Sequence, residues 1–193
     1  MKKYSISPPL ILIMAAFIVI DGTLLSFYTV IFALLHELAH ILTILFFKNR
    51  MFSFKGKALG FSITTNALGY KQEAAVCLAG PLFSLFCFVL FVVLSYFNHM
   101  PRQLVFIAAC NLSLFLINIL PLYPLDGGRA LFCLLSLKLQ QHRAYIIIKI
   151  ISYIFLLPLC ILSVIILVET GYNLSLIIIC IYLLLLLLGV INI

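Results

Sequence analysis

Long apolar runs separated by short polar breaks leave this chain few ways to fold. Six runs can be marked, at about 8–20, 24–47, 74–97, 104–137, 144–168 and 174–193. A helix needs roughly 20 apolar residues to cross a bilayer. Of the 193 residues, 66% are hydrophobic and 9% charged, whereas a soluble domain is about half apolar and a quarter charged. The expected fold is an all-α polytopic membrane protein with about six transmembrane helices, residues 1–193 forming a single integral membrane domain. The opening residues resemble a signal peptide, with Lys2 and Lys3 before an apolar run, but no A-x-A-like cleavage site follows. A retained first span is expected.

The formal net charge of +7 does not imply a nucleic-acid partner. The basic residues sit in the breaks, where membrane topology accounts for them. Under the six-span scheme Lys2, Lys3, Lys48, Arg50, Lys55, Lys57, Lys71, Lys138, Arg143 and Lys149 fall on one side. Arg102 lies opposite, with Asp21 and Glu169. The positive-inside rule then places both termini in the cytoplasm. The six cysteines are scattered through apolar runs without CxxC pairing, so they read as small packing residues rather than a disulfide framework or a thiolate metal site.

The second run contains LLHELAHIL at 34–42. Polar and charged side chains at membrane depth each cost a few kcal/mol. H-E-x-x-H on a helix sets His36 and His40 one turn apart on one face, where two imidazoles can bind one zinc ion. Glu37 points near the same ion and can act as general base. At this composition chance supplies the pattern about once in a thousand such chains.

Catalytic zinc usually takes three protein ligands and a water. The fourth run is too long for one straight helix, and its middle reads NILPLYPLDGGRA. Two prolines and two glycines predict a break there. Unwound backbone at membrane depth is tolerated only where protein or a watery cavity surrounds it. His99, His142, Asp21, Glu73 and Glu169 fall in loops or at span ends. Asp126 lies in the break and is the third ligand by elimination. Asn118, shortly before the break, is either a donor to a developing oxyanion or an amide bonded to backbone freed near Pro121.

HELAH, AGPLFS at 79–84 and NILPLYPLDGG at 118–128 together resemble the site-2 protease family of intramembrane zinc metalloproteases. That family pairs HExxH in one core helix with N-x-x-P-x-x-P-x-D-G in another. Size and spacing are similar to its bacterial sporulation branch, whose members cut a membrane-tethered pro-sigma factor on the cytoplasmic side. The resemblance implies a single metalloprotease domain over 1–193 holding one Zn2+ per chain through His36, His40 and Asp126. It makes Glu37 the catalytic acid/base and gives Asn118 a supporting role toward substrate or oxyanion. Residues 79–81 become a close-packing motif beside the site; alternatively, Pro81 is a proline tolerated in the first turns of a span. The implied partners are a membrane-tethered protein substrate, the lipid bilayer and a regulatory membrane protein. Sporulation-branch members commonly carry a nucleotide-sensing domain after the last span, and other branches a PDZ domain; neither is expected here.

The polar stretch 51–70 alternates Phe52 and Phe54 with polar residues before KGKALG and FSITT. Alternation around a Gly-containing turn predicts a small membrane-associated hairpin between spans 2 and 3, whose edge could receive an unwound substrate strand. Two other functions fit a polar cluster in a membrane helix. A metal transporter would use the same ligands, but it gives Glu37 no task and commonly shows internal repeats, which are not visible here. An inactive membrane scaffold would not need the intact His36, Glu37, His40 and Asp126.

Overall fold

The structure is a computed structural model that describes residues 4–5, 24–47, 52–57, 60–65, 68–97, 102–170 and 175–188. Among these residues six helices and three short strands follow in order: β1 (Tyr4–Ser5), α1 (Leu24–Phe46), β2 (Phe52–Lys57), β3 (Gly60–Thr65), α2 (Tyr70–Phe97), α3 (Arg102–Ile119), α4 (Asp126–Ser136), α5 (Gln141–Thr170) and α6 (Ser175–Leu187). Among the described residues four helices are long and apolar enough to cross a membrane: Phe27–Phe46, Tyr70–Phe97, Arg102–Ile119 and Gln141–Glu169. The expected first span, 8–20, lies outside the described residues. The sixth run contributes α6, of 13 residues.

The chain divides into two compact units, Met1–Leu116 and Ile117–Ile193. In the first, β2 and β3 pair antiparallel from Phe52↔Thr65 to Lys57↔Gly60. β1 adds a parallel strand, Tyr4 opposite Phe54. This third strand was not anticipated, since two residues carry no alternation to read.

The packing of α1 on α2 follows from side-chain size. The buried residues of α1 are Phe32, His36, His40 and Ile44, every fourth residue, so one narrow stripe faces inward. The buried residues of α2 are nearly all small: Ala74, Val76, Cys77, Gly80, Pro81, Ser84, Cys87 and Ser95. Without a hydrophobic drive between helices in lipid, small side chains let backbones approach and gain dispersion contacts. Phe32, Cys87 and Ile107 form the apolar core beside this seam, and Phe32 meets Phe91 edge to face at 5.3 Å. Pro81 is the twelfth residue of α2, well inside the helix and not in its first turns. The helix begins four residues earlier than the apolar run, because Tyr70, Lys71, Gln72 and Glu73 continue it beyond the hydrophobic stretch.

In the second unit the expected break falls at residues 120–125, between α3 and α4. Both prolines lie in it and both glycines do not: Gly127 and Gly128 are the second and third residues of α4. They are needed there because the loop folds back onto them. A Cβ on Gly127 would strike the carbonyl of Ile119, and one on Gly128 the backbone of Leu122. Overpacking of this kind costs about 1–3 kcal/mol or more when the obstacle is backbone. Leu122, 1% exposed, anchors the loop in a core shared with Leu156, Leu183 and Leu187. The Tyr123–Pro124 peptide bond is cis.

Candidate metal centre

His36 and His40 project from the buried stripe of α1 and are 4% and 5% exposed. Their rings stand 5.1 Å apart at 75°. Each ring is tied to α2 through Nδ1. His40 Nδ1 lies 2.7 Å from the carbonyl oxygen of Val76, and His36 Nδ1 lies 2.9 Å from Ser84 Oγ. Partners of this kind fix the ring orientation and the tautomer of ligating histidines.

Gly80 sits between those two anchor points, four residues from each. A Cβ there would collide with Nε2 of His40 and would stand 2.6 Å from Nε2 of His36. Both Nε2 atoms therefore converge on space that an ordinary side chain would fill. Two imidazole nitrogens with fixed rings, facing a gap kept open by a glycine, suit a borderline-soft divalent metal such as zinc. The donor set and the space fit the metal that the HExxH pattern implies.

Glu37 follows His36 on α1, about 100° further round the helix, and is half-buried. Within the second unit Asp126 is the first residue of α4 and half-buried. The N-cap residue Leu125 offers no side-chain cap. A carboxylate at this end is favoured by the helix dipole. Asn118 is the penultimate residue of α3 and also half-buried. Of the expected site residues, His36, Glu37 and His40 lie on α1 in the first unit, and Asn118 and Asp126 lie in the second unit on either side of the break.

Sequence reasoning missed the second tier of the site. The carbonyl of Val76 is backbone and has no residue signature. Ser84 was within the AGPLFS motif without a role. Gly80 and Ser84 at i and i+4 form a small-xxx-small pattern, which marks a face for close helix approach. That pattern was the available signal.

Comparison with known proteins agrees with this architecture. The chain shares its fold with the Site-2 Protease from Methanocaldococcus jannaschii, with a TM-score of 0.65 and 20% sequence identity, covering 90% of this chain and 82% of that one. The fold is that of a polytopic membrane protein. Residues 97–159 match the model of Peptidase family M50. It is 33% identical over 119 residues to Stage IV sporulation protein FB of Bacillus subtilis (strain 168), covering 58% of this chain. The match spans 40% of that relative's length.

Proposed function

We propose that this chain is an intramembrane zinc metalloprotease that hydrolyses peptide bonds of membrane-tethered or single-span proteins near the cytoplasmic side. The observation that carries the reading is the convergence of two oriented, buried imidazoles on the bare backbone of Gly80. In this reading His36 and His40 hold one zinc per chain and Asp126 supplies the third ligand, so that residues 1–193 act as one protease domain. Bound zinc supplies Lewis acidity, polarising a carbonyl and making a water acidic enough to ionise near neutral pH.

The chain's own groups do the rest. Glu37 accepts the proton of the attacking water and returns it to the leaving amine. The side-chain amide of Asn118 donates to the oxyanion or to the substrate backbone. His36 and His40 lie ten and six residues before the end of α1, roughly 9–15 Å along the helix from that end. An end of α1 facing the cytoplasm would put the chemistry at that shallow depth. The distribution of lysine and arginine supports this orientation, with both termini cytoplasmic. The resemblance of the HELAH and NILPLYPLDGG motifs to the site-2 protease family supports a membrane-tethered protein as substrate and a membrane partner as regulator.

The test is cleavage of a tethered single-span substrate by wild type and by Glu37→Gln, with metal content measured in both. Retained zinc with cleavage reduced at least a hundredfold is expected. Cleavage by the variant at the wild-type rate would remove Glu37 from the chemistry. Zinc flux across sealed vesicles without cleavage would favour the transporter.

A further inference from the structure

The break at 120–125 sits beside the long apolar helix α5, and each of its backbone donors needs a partner. Its backbone N–H donors can be followed one by one. Pro121 and Pro124 have no N–H. The N–H of Leu120 donates to Ile117 O at 3.3 Å, that of Leu122 to Leu120 O at 2.7 Å, and that of Leu125 to Leu122 O at 2.7 Å. The remaining donor is the N–H of Tyr123, which bonds to Ser152 Oγ at 2.8 Å. Three of the four donors are satisfied within the turn or the helix before it. The fourth depends on a side chain 29 residues away.

Ser152 is placed to accept this donor. It is 0% exposed. It is the twelfth residue of α5, roughly 16 Å into that helix. Its single proton goes to Ile148 O at 2.7 Å, the nearer of two carbonyls, with Pro121 O at 3.4 Å. A lone pair is left for Tyr123. Ser163, on the same helix and 1% exposed, makes the contrast: its hydroxyl bonds Cys160 O at 2.7 Å, within its own helix.

We propose that Ser152 is a positioning residue, whose hydroxyl accepts the Tyr123 N–H and so holds the 120–125 loop, and with it the start of α4, where Asp126 must stand. The loop meets α4 through Gly127 and Gly128, whose missing Cβ atoms leave no slack between loop and helix. A shift of Tyr123 is therefore passed directly to Asp126. The link to the metal rests on the proposed role of Asp126; the link from Ser152 to the loop does not.

The test uses the full chain in lipid nanodiscs, with Ser152→Ala, Ser152→Thr, Ser163→Ala and Asp126→Ala. Backbone amide exchange at Tyr123 reads the staple. Zinc affinity, from competition with a chromogenic chelator, reads the position of Asp126. In wild type the Tyr123 amide should exchange slowly, and Ser152→Ala should speed it and weaken zinc binding, each about tenfold or more. Ser152→Thr, which keeps the hydroxyl, should recover most of both, and Ser163→Ala should change neither. Rapid exchange of Tyr123 in wild type would overturn the proposal, even if Ser152→Ala does not fold. Faster exchange with unchanged zinc affinity would also overturn it, provided Asp126→Ala weakens binding. If Asp126→Ala leaves affinity intact, the ligand assignment fails instead, and the Tyr123 exchange still decides whether Ser152 holds the loop.

Discussion

The carbonyl oxygen of Val76 lies 2.7 Å from Nδ1 of His40. A carbonyl can only accept, so Nδ1 carries the ring proton and Nε2 presents its lone pair. The partner of His36 is a hydroxyl, Ser84 Oγ, which can donate or accept. One histidine is oriented by backbone that mutation cannot delete, and the other by a side chain that it can.

Ser84→Ala should therefore weaken zinc binding about tenfold, the low end of what loss of such a partner costs a metal site. Chelator competition on the purified chain measures it. Unchanged affinity would mean that helix packing alone orients His36.

Gly80→Ala should abolish metal binding while leaving the helices folded. The new methyl group would occupy the place toward which both Nε2 atoms point. Zinc content and the thermal unfolding midpoint, measured on one preparation, separate the two effects. A variant that binds zinc as wild type does would move the metal away from Gly80.

Asp126→Ala should lower zinc affinity at least tenfold and remove cleavage, because two imidazoles alone make an incomplete site. Metal analysis after dialysis against chelator checks it. Full occupancy and activity would exclude Asp126 as a ligand.

Substrates with Gly or Pro near the cut should be cleaved faster than those with a run of Leu there. A helix has its carbonyls already bonded, and Gly or Pro lowers the cost of unwinding by about 1–3 kcal/mol per residue. Initial rates on a matched pair of single-span substrates decide it. Equal rates would mean that unwinding is not limiting.

The parts of the site legible in the sequence are those that break a local rule. His36, Glu37 and His40 stand out because the run around them is apolar. The break stands out because two prolines, Pro121 and Pro124, stand close together just before a Gly-Gly pair. The parts that were not legible obey every local rule. Ser84 and Ser152 are ordinary residues of apolar helices, and their partners are brought to them only by packing across 48 and 29 positions. The apolar runs located the helices well, but they could not separate spans from shorter elements. The 34-residue fourth run became α3 and α4 because hydropathy is blind to where backbone donors find partners.

The small sheet has a consequence for counting. β1 and β2 are hydrogen-bonded neighbours, Tyr4 beside Phe54. Two paired strands must lie on the same side of a bilayer. A path that starts and finishes on one side crosses an even number of times, whatever its route. α1, long and apolar enough to be one such crossing, lies between them in the sequence. Parity, read from two residue pairs in a sheet, thus constrains the span count independently of hydropathy and of charge.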